Sequence, residues 1–176
     1  MSARVLFTGC GATYPFKGRG LSGIAVKIEK EIVIFDCGEG FQEVFLRSGM
    51  GLNLPIKVFI SHLHGDHVLG LLPLLQSLAI HGRSERVEVF GPRGLCEVLG
   101  WSLEAADAPF DVDIHEINSD NVYDFRKFKV KVIRARHNVE AFSFVLQGAK
   151  KPGKFDVAKA EKLGIPEGPL RRLLVM

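Results

Sequence analysis

The chain opens with three apolar runs in quick succession. Arg4 to Phe7, Ser22 to Ile28 and Glu31 to Phe35 are rich in Val, Ile and Phe and are bounded by Gly and charged residues, the pattern of β-strands. Glu29-Lys30 separates the second run from the third and reads as a hairpin turn. Gly38 and Gly40 then break the strand. Phe41 to Ser48 reads as a short helix with Phe41, Val44 and Phe45 on one face, ended by Gly49 and Gly51. Pro55 opens a further strand, Ile56-Lys57-Val58-Phe59-Ile60. From Val68 to Ile80 the polar positions are few, chiefly Gln76 and Ser77, which predicts one buried helix with Pro73 near its start.

The pattern continues with a strand over Val87 to Phe90 and a helix over Gly94 to Trp101, after a Gly-Pro turn. Between Phe125 and Ile133, Lys127, Lys129 and Lys131 alternate with Phe128, Val130 and Val132. That is a strand with one wet face. Phe142 to Leu146 is the last strand. After Gln147 the composition shifts to Lys, Gly and Pro, which predicts an extended arm. The chain therefore divides into an ordered domain over 1–147 and an arm-like segment over 148–176.

The chemistry concentrates in Ser61-His62-Leu63-His64-Gly65-Asp66-His67, directly after the strand ending at Ile60. Three of the chain's six histidines fall in this stretch. A polar surface loop is the plain alternative, but zinc and its neighbours take imidazole nitrogen and carboxylate oxygen, and a strand end gathers such groups near one point. In an extended loop His62 and His64 share a side, because side chains alternate with period two. Gly65 lets the backbone turn, which frees Asp66 and His67 to face a second ion. Paired ions roughly 3.5–4 Å apart clamp an in-line displacement at phosphorus.

Composition adds a few bounds. The 176 residues suffice for one domain with a real core. A formal net charge of +3 suits a polyanionic partner without requiring one. No apolar run reaches membrane-spanning length, and no leader pattern precedes the first strand; a cytoplasmic location is expected. The cysteines, Cys10, Cys37 and Cys96, are odd in number and widely spaced. That argues against a disulfide framework and for a reducing compartment. Cys10 and Cys37 are expected to be small buried apolar groups rather than ligands.

The His62 to His67 stretch resembles the metal motif of the metallo-β-lactamase superfamily. Phe35-Asp36-Cys37-Gly38-Glu39-Gly40-Phe41-Gln42 resembles its second-strand motif, and Phe7-Thr8-Gly9-Cys10-Gly11-Ala12-Thr13-Tyr14-Pro15 its first Gly-rich turn. Lys151-Pro152-Gly153-Lys154-Phe155-Asp156-Val157, followed by Gly164-Ile165-Pro166-Glu167-Gly168-Pro169, is similar to the protruding arm of the ribonuclease Z family of tRNA 3′-processing endonucleases. The resemblance runs to about Leu170. It implies an α/β fold, the αββα sandwich, of which this chain supplies the N-terminal half and the start of the arm.

The same resemblance implies a pair of zinc ions. His62, His64 and His137 would hold one; Asp66 and His67 would hold the other. Asp66 would also accept the nucleophile's proton. Asp36 would either orient a ligand imidazole by accepting its ring N–H or cap the turn at Gly38. His81 and His115 are read as packed or solvated. Lys151, Lys154, Gly164, Pro166, Gly168 and Pro169 would grip the elbow of precursor tRNA by shape and phosphate contact. The basic residues Arg126, Lys127, Lys129, Lys131, Arg134 and Arg136 are either a phosphate-facing stripe or simply a wet sheet face.

The implied reaction is phosphodiester hydrolysis at the 3′ end of precursor tRNA. The other readings are a metallohydrolase of small substrates, of phosphodiesterase or thioesterase type, and a silent half-domain that binds RNA or a partner. The sequence also departs from the family. The bridging aspartate, a final histidine and a histidine that protonates the leaving group lie past the arm in ribonuclease Z. Asp107, Asp111, Asp113, Asp120, Asp124 and Asp156 do not match the bridging position. An incomplete second ion site, reduced activity, and a homodimer or a completing subunit are therefore expected. Phe41 stands where the family's Glu-Gly-Thr-Gln has threonine, which bears on local packing.

Overall fold

The computed structural model describes residues 2–149 and 156–168, with the backbone alone at 101, 102, 105 and 106. Three antiparallel strands come first: β1 (Ala3–Gly9), β2 (Gly23–Ile28) and β3 (Glu31–Cys37). Glu29 takes a φ of 54° to make the predicted turn between the last two. Then follow α1 (Phe41–Arg47), β4 (Ile56–Phe59), α2 (Gly65–Val68), α3 (Leu71–Ile80), β5 (Val87–Gly91), α4 (Leu95–Ala106) and β6 (Val112–Glu116). β3 to β6 pair in parallel, as crossover helices require, so the six-stranded sheet runs β1-β2-β3-β4-β5-β6. A second, antiparallel sheet holds β7 (Val122–Asp124), β8 (Phe128–Arg134) and β9 (Phe142–Gly148), and α5 (Val157–Lys162) follows later in the chain.

Each face of the large sheet has its own core. Ile32, Ile34, Ile56, Val58 and Ile60 meet Phe45, Leu71, Leu74, Leu75, Leu78, Leu95 and Leu99 from the helices. On the opposite face Val33, Phe59 and Phe90 meet Phe128, Val130, Val132 and Phe142 from the small sheet. Phe59 stacks on Phe90 at 4.6 Å and meets Phe144 edge-on at 5.4 Å. Every residue of β4 is buried, as expected of a central parallel strand covered on both sides. The buried Lys57 on it is met by Glu31 at 3.4 Å and Glu88 at 3.2 Å. The described residues thus form three layers: helices, large sheet, small sheet. β8 alternates as predicted, with Lys129 and Lys131 outward. Val5 and Phe7 on edge strand β1 pair with Val26 and Ile24 but remain 51% and 69% exposed, beyond the reach of the small sheet. Among the described residues no helix is long and apolar enough to cross a membrane.

Several expectations are corrected. The helix predicted over Val68 to Ile80 is two helices broken at Leu69-Gly70. The cause is the close approach of Gly70 to Gly38: a Cβ on Gly70 would lie 1.9 Å from the Gly38 carbonyl oxygen. Nor is α3 buried all round. It lies on the outer side of the sheet, and Ile80 at its end is 83% exposed. The helix after Gly94 runs on to Ala106, and β6 and β7 were not predicted. β8 starts at Phe128 rather than Phe125, because Arg126 takes a φ of 64° in a turn capped by Asp124. The arm is not wholly extended: Asp156 accepts the Lys159 N–H and starts α5. Cys10 is exposed, not buried, while Cys37 is buried. Phe41 fills the core in place of threonine, stacked on Phe45 at 5.7 Å and pressed against Gly23.

Candidate metal centre

The sheet's parallel strands deliver the chemistry at one end. β3 ends at Asp36 and Cys37, and Asp36 takes a φ of 58°, which is rare for a non-glycine residue. The next parallel strand, β4, leads through Ile60 into Ser61, His62, Leu63 and His64. α2 then carries Asp66 and His67. Gly70 fixes this short helix, because its N–H donates to the Cys37 carbonyl at 2.9 Å while its missing side chain admits the Gly38 backbone. From the other sheet, β8 leads to the loop with His137. That loop is pinned where Ala135 N–H donates to Ala141 O and Phe142 N–H donates to Ser61 O, both at 2.9 Å.

His62 is the hub. Its ring centre lies 4.6 Å from that of His64, 4.0 Å from His67 and 4.7 Å from His137. One ligand atom each from His62, His64 and His137 fall within 4.8 Å of one another. His62 Nε2 and His64 Nδ1 are 3.2 Å apart. A tetrahedral ion with Zn–N near 2.0–2.1 Å spaces its nitrogen ligands by about 3.3 Å, which the His62–His64 pair matches, and His137 lies close enough to join them. Beside it, His67 Nε2 lies 3.6 Å from Asp66 Oδ2. All five side chains line one open cavity of about 800 Å³, together with Thr13, Glu39 and Leu69.

The surroundings prepare these groups. Burial, then the neighbouring His67, pushes the His62 imidazole below its ordinary pKa and keeps it neutral, as a ligand must be. The Thr13 N–H donates to Asp66 Oδ2 at 2.9 Å, and this bond, aided by His67, holds the Asp66 carboxyl below the usual range. The bond to Asp36 raises the His67 pKa. His67 Nδ1 lies 2.7 Å from Asp36 Oδ2, and Ser61 N–H donates to Asp36 Oδ1 at 2.7 Å. The Asp36 carboxylate therefore faces Ser61 and His67.

Sequence reasoning passed over two groups. Ser61 lies beside the histidines, but a lone serine has no spacing that marks it. Thr13 acts through its backbone N–H in a left-handed conformation, φ 66°, which no side-chain pattern reveals. His81 closes α3 by bonding to Ser77 O, and His115 stacks on Phe90 at 4.8 Å; neither lines the cavity. Gly164, Pro166 and Gly168 follow α5 and do not line it either. Lys151, Lys154 and Pro169 lie outside the described residues. Part of the basic stripe is already neutralised: Lys129 pairs with Asp124 at 2.7 Å, and Lys127 approaches Glu29 and Glu31.

Two stacked sheets bring histidines and an aspartate together at their shared end, and the chain belongs to the β-lactamase superfamily. The family profile described as "Beta-lactamase superfamily domain" matches residues 32–155. Within that class the chain is similar to Ribonuclease Z of Nitrosopumilus maritimus, with 38% identity over 169 residues that cover 95% of this chain and 56% of that protein. Ribonuclease Z of Acaryochloris marina is 35% identical, over 95% of this chain and 54% of its own length. The chain thus spans about half the length of the curated relatives it matches. Among solved structures, the short form of human tRNase Z superposes with a TM-score of 0.71 at 27% identity, covering 92% of this chain and 74% of that one. The metallo-β-lactamase fold protein YhfI from Bacillus subtilis has a TM-score of 0.68 at 18% identity, over 82% and 58%, and shares the fold.

Proposed function

We propose that this chain carries the metal-binding half of a zinc-dependent endoribonuclease that processes the 3′ end of precursor tRNA. The observation behind this reading is the convergence of His62, His64, His137, Asp66 and His67 in one open cavity. The similarity to Ribonuclease Z over 95% of the chain supports precursor tRNA as the substrate class.

His62, His64 and His137 would hold one zinc ion, and Asp66 with His67 a second. Bound zinc supplies Lewis-acid polarisation of phosphoryl oxygens and makes water acidic enough to act near neutral pH. The chain's own groups do the rest. Asp66 accepts the proton of the attacking water at its carboxylate, which the Thr13 N–H keeps ionised and aimed. His67, braced by Asp36, keeps its Nε2 turned toward Asp66. Lys151, Lys154, Gly164, Pro166, Gly168 and Pro169 contact the tRNA elbow through shape and phosphate.

Five donors leave positions open around two ions, so the three-histidine position binds the tighter ion. The free cysteines fit a reducing, cytoplasmic setting.

Cleavage of precursor tRNA with added zinc, compared between the native chain and Asp66→Ala, tests this reading. The native chain is expected to cut at the 3′ junction, and the variant to lose about 100-fold or more in rate. Equal background in both would overturn it. Turnover of a simple phosphodiester without salt-dependent tRNA binding would shift the reading to a small-substrate hydrolase.

A further inference from the structure

We propose that Ser61 is a positioning residue through which the Asp36 carboxylate sets the tautomer of His62 as well as that of His67, so that one carboxylate prepares ligands at both ion positions. This inference rests on the metal-centre reading above.

The hydrogen-bond geometry carries it. Ser61 Oγ donates to Asp36 Oδ2 at 2.9 Å and lies 2.9 Å from His62 Nδ1. A hydroxyl has one proton to give, and an ionised carboxylate can only accept. The Ser61 proton therefore points at Asp36, and the serine oxygen faces His62 Nδ1 as an acceptor. His62 must then carry its ring proton on Nδ1. Its lone pair is left on Nε2, the atom that lies 3.2 Å from His64 Nδ1 within the three-histidine cluster. The same Asp36 Oδ2 accepts from His67 Nδ1 at 2.7 Å, which leaves the His67 lone pair on Nε2, toward Asp66. One oxygen of one carboxylate thus sets both rings, His67 directly and His62 through the serine hydroxyl.

The arrangement is built from the backbone. The left-handed φ of Asp36 and the Ser61 N–H on Oδ1 hold the carboxylate in place. The Ser61 carbonyl accepts from Phe142 N–H, at the end of the loop that carries His137. Removing the hydroxyl alone leaves both backbone bonds. It also leaves His62 Nδ1 without the serine acceptor, so the ring's better choice is a proton on Nε2 donated to His64 Nδ1. That tautomer turns the His62 lone pair away from the ion.

The test is long-range nitrogen–proton NMR of histidine-labelled, metal-free chain at a pH well above the raised pKa of His67, where both rings are neutral, with zinc affinity measured separately by chelator competition. In the native chain His62 and His67 are expected to carry the proton on Nδ1. In Ser61→Ala the His62 proton moves to Nε2 while His67 is unchanged. Zinc binding weakens about 10–100-fold, the range for loss of an outer partner of a ligand imidazole. Ser61→Thr restores both readouts, and circular dichroism confirms that each variant folds. An unchanged His62 tautomer in Ser61→Ala overturns the proposal, as does a switch of both rings together. Failure of the native chain to bind zinc would instead overturn the metal-centre reading, and the ring-proton result would still decide the role of Ser61.

Discussion

Gly70→Ala isolates the contact that places Asp66 and His67. Gly70 has ordinary right-handed torsions, φ −77° and ψ −7°, so the backbone itself accepts alanine. Gly→Ala at such a site normally gains about 0.4–1 kcal/mol by restricting the unfolded chain. Here the new Cβ would lie 1.9 Å from Gly38 O, 2.5 Å from Gly38 C and 2.8 Å from Cys37 O, and backbone atoms cannot rotate away. Relief requires the two segments to separate, at an overpacking cost of about 1–3 kcal/mol. Separation also strains the Gly70 N–H bond to Cys37 O, worth about 1 kcal/mol. The net expectation is a loss of about 2–3 kcal/mol, or roughly 5–10 °C in Tm for a chain of this size. Gly100→Ala is the control. It sits in α4 with open space around its Cβ position and should gain about 0.5–1 kcal/mol. Thermal unfolding of the metal-free chain reads both. If Gly70→Ala matches or exceeds the native stability, the close approach does not hold the loop and the explanation of the helix break is wrong.

The His67 pKa is raised in the metal-free fold, first by its bond to Asp36. Its stabilising contribution is therefore complete below the ordinary value of 6.5 and fades as pH rises through the folded value. His67→Gln should accordingly cost more near pH 5 than near pH 8 in urea unfolding; the reverse order would contradict the assigned bond. Lys57→Met removes the cation between Glu31 and Glu88 and over the Phe125 ring. It should destabilise by about 2–4 kcal/mol, with partial recovery on adding Glu31→Gln. Chemical denaturation of the single and double variants checks this, and a neutral single variant would refute it. Arg83→Met removes a buried guanidinium that donates to the carbonyls of Leu52, Leu54 and Arg86. Three orphaned acceptors should cost about 3 kcal/mol or more, read as a fall in urea midpoint; an unchanged midpoint would show that the loops hold without it.

Local pattern made the central features legible. The alternation of Lys and apolar residues marked β8, the uniform run at 56–60 marked the central strand β4, and the clustering of His62, His64, Asp66 and His67 in sequence anticipated that they line one cavity. What stayed hidden depended on distant partners or weak periods. The helix break at Leu69-Gly70 answers to Gly38, far off in sequence. β6 is an edge strand whose residues are only half-buried or exposed, so no apolar alternation marks it, and β7 has three residues. The grip on Asp66 comes from the backbone of Thr13. α5 did leave a signal: Asp156 stands before Val157-Ala158-Lys159-Ala160-Glu161-Lys162, a cap followed by helix formers, but the surrounding Lys, Gly and Pro masked it.

Zinc bound per chain, measured by native mass spectrometry on the metal-loaded protein and on His137→Ala, bears most directly on the central claim. Imidazoles from the ends of two different sheets should share one ion. The native chain should retain at least one zinc, and His137→Ala should lose the tighter ion while keeping its fold by circular dichroism. Equal zinc content and affinity in the two proteins would show that His137 does not join His62 and His64 at a common ion.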